Sequence, residues 1–228
     1  MMTSHQTLGR PEEKKMSKPR LLLADDHTLL LEGYQKLLEQ HFEIAGMVKN
    51  GRELVDAAVV LRPDVVLLDI SMPQLNGLEA TRQLRNLVPD CRIVIVTMHD
   101  DPEYIYEAFR AGASAYFLKQ SAASELVSAI ESVLRGSIYI TPLMTADGRQ
   151  TVRRAAGGRG RLESVLSPRQ REVLQLVAEG RTGKEIASLL QISVKTVEFH
   201  KSSIFRHLGV RSIADMTRYA MKRGIVVG

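Results

Sequence analysis

Between Arg20 and Ile140, short continuously apolar runs alternate with amphipathic stretches, and this alternation narrows the possible folds more than any other feature. The runs are LLLA (21–24), IAGMV (44–48), VVLLD (65–69), IVIVT (93–97) and AYFL (115–118). Helical spacing of apolar residues follows each of them, near 28–40, 52–61, 77–87, 102–111 and 122–135. Parallel strands are buried on both faces, so they read as β-branched, uninterrupted apolar segments. Five strand–helix repeats predict a doubly wound α/β sheet, (βα)5, with right-handed crossovers. Ligands of such sheets gather at the carboxyl ends of the strands.

The pattern stops after Ile140. Residues 141–162 are rich in Gly and Arg and lack apolar periodicity, which predicts a flexible linker. From Val165 every signal is helical. Ser167-Pro168 is an N-cap with Pro at the first helical position, and Gly180 stops that helix. Lys184–Leu190 is a short second helix, and Gln191-Ile192 turns the chain. Ser193 caps a third helix, Val194–Leu208, ended by Gly209; Ser212, with Asp215 three residues on, opens a fourth. The expected organisation is a disordered polar tail (1–19) with no secretory core, an α/β domain (20–140), the linker, and a small all-α four-helix domain (163–228). No apolar run approaches the roughly 18 residues of a membrane span.

Charge separates the two halves. Residues 20–140 carry 11 Lys/Arg against 17 Asp/Glu, whereas residues 163–228 carry 11 against 6 and the linker 5 against 1. A basic C-terminal half attracts phosphate backbones. Cys91, the single cysteine, borders an apolar run and is expected to be a buried structural thiol in a reducing cytoplasm.

Three carboxylates fall at predicted strand ends: Asp25 and Asp26 after the first strand, and Asp69 closing the third. Strand ends converge on one edge, where clustered carboxylates repel unless a cation intervenes. A hard divalent cation with oxygen ligands relieves this, and Mg2+ is the usual choice beside a phosphate. Thr97 at the end of the fourth strand offers a hydroxyl, and Lys119 after the fifth offers a fixed positive charge. A nucleophilic carboxylate, a metal, a hydroxyl and an ammonium at one edge accept a phosphoryl group.

The stretches LLLADDH, VVLLDISMPQLNGLEA, IVIVTMH and AGASAYFLK resemble the receiver domain of two-component response regulators along residues 20–140. The resemblance implies that Asp69 is the phosphoacceptor. It makes Asp26 and Asp69 direct Mg2+ ligands, with Asp25 acting largely through water and the Ser71 carbonyl completing the set. Thr97 and Lys119 would bind phosphoryl oxygens. Thr97 and Tyr116 would form a switch pair, the aromatic ring packing inward on phosphorylation. One departure stands out: Gln120, not Pro, follows Lys119. A non-proline cis bond costs about 2.5–4 kcal/mol, so that peptide is expected to be trans.

Residues 165–223, through LSPRQREVLQLVAEGRTGKEIASLLQISVKTVEFHKSSIFRHLGVRS, resemble the helix-turn-helix domain of LuxR-like, NarL/FixJ-type regulators. Two short helices joined by a tight turn let the second enter the major groove of double-stranded DNA. Lys184, Lys195, Lys201 and Arg206 are expected on phosphates. The resemblance assigns Thr196 to the DNA contact and base reading to Glu198, Phe199 and Ser202, with Phe199 departing from the usual Thr. Val194, Val197, Ile204 and Leu208 are expected in the core. Ile213, Met216 and Tyr219 form an apolar stripe on the last helix, facing either a second copy of the chain or the helix at 169–179.

These features predict a promoter-binding transcription regulator, phosphorylated by a sensor histidine kinase, dimeric when phosphorylated, and non-enzymatic beyond its own phosphoryl chemistry. A hydrolase with an aspartyl-phosphate intermediate needs a second Asp where Ser71 stands. A degenerate, phosphorylation-independent receiver would have lost one or more of the five pocket residues, all of which are present.

Overall fold

The computed structural model describes residues 18–142 and 166–226. The first domain holds β1 (Arg20–Ala24), α1 (Thr28–Leu38), β2 (Glu43–Val48), α2 (Gly51–Leu61), β3 (Val65–Leu68), α3 (Gly77–Leu87), β4 (Arg92–Thr97), α4 (Pro102–Ala111), β5 (Ala115–Leu118), α5 (Ala123–Leu134) and β6 (Tyr139–Ile140). All neighbouring strands are parallel, in the order β2-β1-β3-β4-β5-β6. Alternate residues of each strand feed two cores. Leu22, Val66, Ile93, Ile95 and Tyr116 pack under α2, α3 and α4 with Leu54, Leu84 and Ile105. Leu21, Leu23, Leu67, Val94 and Phe117 pack under α1 and α5 with Leu31, Leu38, Leu126 and Ile130. Burial on both faces is the physical reason the strands read as unbroken apolar runs.

Three features at the chain's margins differ from what the sequence predicts. A sixth strand follows α5, too short at two residues to leave an apolar run. Thr141, expected as the first linker residue, is fully buried: its N–H donates to the Tyr116 carbonyl and its hydroxyl accepts from the Leu118 N–H. Lys18, expected in the tail, donates to the carbonyls of Glu39 and Gln40. Residues 1–17 of the tail and 143–162 of the linker lie outside the described residues.

Cys91 is buried, and burial pushes its thiol up to about 12. It is therefore expected to resist thiol-specific reagents in the native protein and to react stoichiometrically once denaturant unfolds the domain. Rapid native labelling at neutral pH contradicts the buried placement.

The second domain holds α6 (Pro168–Ala178), α7 (Gly183–Leu190), α8 (Val194–Leu208) and α9 (Ile213–Lys222). Its helix starts use side-chain caps. Ser167 with Gln170 and Thr182 with Glu185 form capping boxes, while the Ser193 and Ser212 hydroxyls accept from the Thr196 and Asp215 N–H groups. The α7–α8 turn places Gln191 in the left-handed region at φ 53°, and Gly209 ends α8 at φ 66°. Val173, Leu174, Ile186, Val197, Ile204, Met216 and Ala220 make one core.

Met216, expected as a candidate partner contact, is thus an interior residue of this domain. The amphipathic stripe of α9 turns Met216 and Ala220 inward, Tyr219 packs partly against the same core, and Ile213 stays 52 % exposed. Val194 corrects the reading in the opposite sense. It is exposed because it opens α8 over Gly183, which has no side chain to cover it.

The two domains meet through α6 and through the end of α9, where Arg223 pairs with Glu103 of α4 at 2.8 Å. Gln175 and Glu179 bond to the segment 72–76 that follows β3, and Arg171 and Glu172 pair with Glu79, Arg52 and Gln83 on α3 and α2.

Candidate phosphoryl site and nucleic-acid interface

Backbone bonds at the sheet edge fix the acidic residues. Asp25 donates its N–H to Val48, Asp69 to Ala24, and Lys119 to Thr97, each bond carrying the sheet pairing one residue past the strand end. α3 then starts so close to this edge that a Cβ on Gly77 would overlap the Asp69 carbonyl, so only glycine fits there.

The Lys119 Nζ lies 2.7 Å from an Asp25 carboxylate oxygen and 2.8 Å from Asp69 Oδ2, all three side chains being nearly fully buried. Burial alone would lower the Lys119 pKa. Its hydrogen bonds to Asp25 and Asp69, with their charges, outweigh burial and hold the ammonium above its ordinary value. Asp69 Oδ1 is buried with no hydrogen-bond partner. A buried carboxylate oxygen without a donor is costly, and it gives the edge an opening toward an electrophile or a cation.

Asp26 is solvent-exposed, and His27 Nδ1 bridges the acid pair, 3.1 Å from Asp25 and 2.9 Å from Asp26. Asp25, Asp26 and His27 each offer a donor atom within 4.8 Å of the others, while Asp69 joins Asp25 through Lys119. His27 had no role in the sequence reading, although it closes the LLLADDH stretch.

Thr97 is fully buried, and its hydroxyl accepts from the His99 N–H at 3.3 Å. The Tyr116 ring is packed inward, and its hydroxyl donates to the His99 carbonyl at 2.9 Å. Burial pushes that phenol far up. The His99 ring lies 3.0 Å from the Ser71 hydroxyl and stacks on Tyr104 at 4.2 Å. His99 therefore contacts both residues of the expected switch pair and the residue two positions after Asp69. Nothing in the apolar pattern marks a lone loop histidine for such a place. The Lys119–Gln120 peptide is trans, as its sequence requires.

On the second domain, Lys184, Lys195, Glu198, Phe199, Ser202 and Arg206 are exposed, and Thr196 and Lys201 are half-buried. Phe199 is 66 % exposed, a large aromatic left in solvent on the outer face of α8. Lys201 pairs with Glu198 at 2.9 Å. Val197, Ser203 and Ile204 face inward, and Gln170 of α6 donates to Ser203.

A parallel α/β domain with an acidic, lysine-bridged strand edge, joined to a small domain that presents a polar helix after a tight turn, defines a two-domain regulator. The family described as "Response regulator receiver domain" matches residues 21–131, and "Bacterial regulatory proteins, luxR family" matches residues 164–220. The chain is 38 % identical over 211 residues to the transcriptional regulatory protein MctR of Rhizobium johnstonii, covering 92 % of this chain and 96 % of that one. It is 35 % identical over 214 residues to the oxygen regulatory protein NreC of Staphylococcus carnosus, covering 91 % and 99 %. Among solved structures it is similar to RcsB from Salmonella enterica serovar Typhimurium bound to promoter P1flhDC in the presence of the phosphomimetic BeF3-. That similarity has a TM-score of 0.58 at 26 % identity and covers 90 % of this chain and 100 % of that one. The chain belongs to the transcriptional response regulators of two-component systems that join a receiver domain to a LuxR-type DNA-binding domain. No helix among the described residues is long and apolar enough to cross a membrane.

Proposed function

We propose that this regulator controls transcription from double-stranded promoter DNA through phosphorylation of Asp69 by a partner sensor histidine kinase in the cytoplasm. The observation that carries this reading is the Asp69 carboxylate, buried with Oδ2 held by Lys119 and Oδ1 without a partner. The carboxylate is charge-balanced by Lys119 and keeps one oxygen without a partner, so it has an oxygen to face a cation and another to bond to phosphorus. The Asp69 oxygen bonds to phosphorus as the phosphorus–nitrogen bond of the donor phosphohistidine breaks. The imidazole keeps the electron pair and takes up a proton. Lys119 is placed to offset charge on the transferred oxygens, and the Thr97 hydroxyl to donate to one of them.

The acidic donors fit a hard divalent cation, since the orphaned Asp69 oxygen adds to the acid pair. Asp25, Asp26, Asp69 and the Ser71 carbonyl would hold Mg2+, which when bound supplies positive charge beside the phosphoryl oxygens. Ser71 stands where a phosphoaspartate hydrolase needs its second Asp, which argues against that class of enzyme.

The receiver runs from about Lys18 through Thr141 and the DNA-binding domain over 163–228, with the linker between them; the two family matches fall inside these bounds. On DNA, Lys184, Lys195, Lys201 and Arg206 neutralise phosphates, with Thr196 beside them. Glu198, Phe199 and Ser202 face base edges. One such domain reads only a half-site, so two phosphorylated copies bind together. Exposed Ile213, at the start of α9, and the half-buried Tyr219 nearly two turns on supply the contact between them.

The test is sedimentation of the full chain on a duplex with two half-sites, with and without beryllofluoride. Two chains per duplex and tighter binding with beryllofluoride are expected. One chain per duplex, insensitive to beryllofluoride, contradicts the reading. Lys195→Ala should weaken binding to every sequence and flatten the salt slope by about one unit, whereas Phe199→Thr should change the preferred bases.

A further inference from the structure

α8 carries one exposed stripe. Lys195, Phe199, Ser202 and Arg206 recur at helical spacing and are all exposed, while Val197, Ser203 and Ile204 on the other side are buried. Cations close both ends of the stripe, and Phe199 stands between them, 66 % exposed. Phosphate contact does not account for that ring. It offers neither a donor nor an acceptor, and in water it forfeits the burial that an aromatic side chain gains elsewhere. The ring is also restrained, since it meets His200 edge-on with centroids 5.8 Å apart at 67°.

Glu198 stands beside it. Its Oε1 accepts from Lys201 Nζ at 2.9 Å, and the side chain stays 56 % exposed. The carboxylate lies against Gly183 at the start of α7, where a Cβ would come within 3.2 Å of Oε1. Half-buried Lys201 and the bare glycine therefore hold an acceptor-only group next to an apolar ring.

The two neighbours make a joint demand on the major groove. A carboxylate finds a matching donor at cytosine N4 or adenine N6, and it is repelled by the O4, O6 and N7 acceptors. An apolar ring finds its match in a methyl group at C5 of a pyrimidine. Thymine has that methyl but sets the O4 acceptor beside it, and cytosine has the N4 donor without the methyl. 5-Methylcytosine carries both groups on one edge. Successive helix residues are about 1.5 Å apart along the axis, so Glu198 and Phe199 can address one base.

We infer that α8 reads cytosine methylation: the half-site holds a cytosine that faces Glu198 and Phe199, and a methyl group at its C5 strengthens binding. Methylation of promoter DNA then tunes this regulator separately from Asp69. This rests on Glu198 and Phe199 facing base edges, as proposed above.

The test selects duplexes with the full chain from two randomised pools, one containing cytosine and one copied with 5-methylcytosine in its place. Affinity for the enriched sequence is then measured in both forms. The methylated duplex should bind about fourfold more tightly, the gain from burying one methyl group. In Phe199→Ser the ratio of the two affinities should fall to unity. In Glu198→Gln the methyl preference should remain while thymine becomes acceptable at the same position, because an amide can donate to O4 as well as accept. Both side chains are exposed, so neither change touches the core. Equal affinity for the methylated and unmethylated duplexes overturns the inference, as does a methyl preference that survives in Phe199→Ser. An enriched half-site without cytosine overturns it too; weaker binding with deoxyuridine in place of thymine would then put the ring on thymine. If neither pool yields an enriched sequence, base reading by α8 itself fails, a result distinct from loss of the methyl preference alone.

Discussion

Met216→Glu is expected to unfold the DNA-binding domain and leave the receiver folded. Met216 is fully buried among Val173, Ile186, Val197 and Ala220. Removing its side chain from that core forfeits about 1.5–3 kcal/mol of burial. Placing an unpaired carboxylate there costs several kcal/mol more. A core supporting about sixty residues supplies only about 3–5 kcal/mol of net stability, so the combined penalty exceeds what holds the domain. Far-UV circular dichroism on heating should show the helical signal of residues 166–226 already lost at low temperature, with the receiver transition retained. Ile213→Glu, on the same helix but 52 % exposed, should melt like the unmodified chain. If Met216→Glu also melts like the unmodified chain, Met216 is not a core residue and the packing of α9 on α6 is wrong.

The same residue shows where the sequence stops being informative. A 3.6-residue period identifies the apolar side of a helix but not what covers it, so the stripe 213-216-219 was equally compatible with a partner and with α6. The receiver was far more legible. Its strands are buried on both faces, and their apolar runs end where the chain reaches the ligand edge. Asp25, Asp69, Thr97 and Lys119 could therefore be placed together by counting strand ends. The helix boundaries of the second domain followed from Ser167, Ser193, Gly209 and Ser212, whose capping chemistry is local.

What escaped notice depends on tertiary partners. Tyr139–Ile140 is a strand only because β5 lies beside it. His99 is a single polar residue in a loop whose place comes from Ser71 across the sheet edge, whereas the His27 ring pairs with its sequence neighbours Asp25 and Asp26. Gln175 reads as a solvated helix position and is instead 1 % exposed against the other domain. A polar side chain carries no period that announces its partner, so an interface made of Arg171, Glu172, Gln175 and Glu179 leaves almost no trace in the sequence.

Asp69→Asn is expected to abolish phosphorylation outright while preserving the fold. The amide keeps the shape and burial of the carboxylate but removes both the anionic nucleophile and the charge that pairs with Lys119. Lys119 retains Asp25 at 2.7 Å, so its ammonium is not stranded, and a large loss of stability is not expected. Asp25 and Asp26 remain as carboxylates, so phosphate added to the variant would have to lie on one of them or elsewhere. The measurement is intact mass of the full chain and of Asp69→Asn after incubation with acetyl phosphate and Mg2+. The unmodified chain should gain the mass of one phosphoryl group, lost again on mild alkaline treatment as an acyl phosphate is, and the variant should gain none. A phosphorylated Asp69→Asn chain, or an unmodified chain that takes up no phosphoryl group, would contradict the assignment of Asp69 as the residue through which this regulator is controlled.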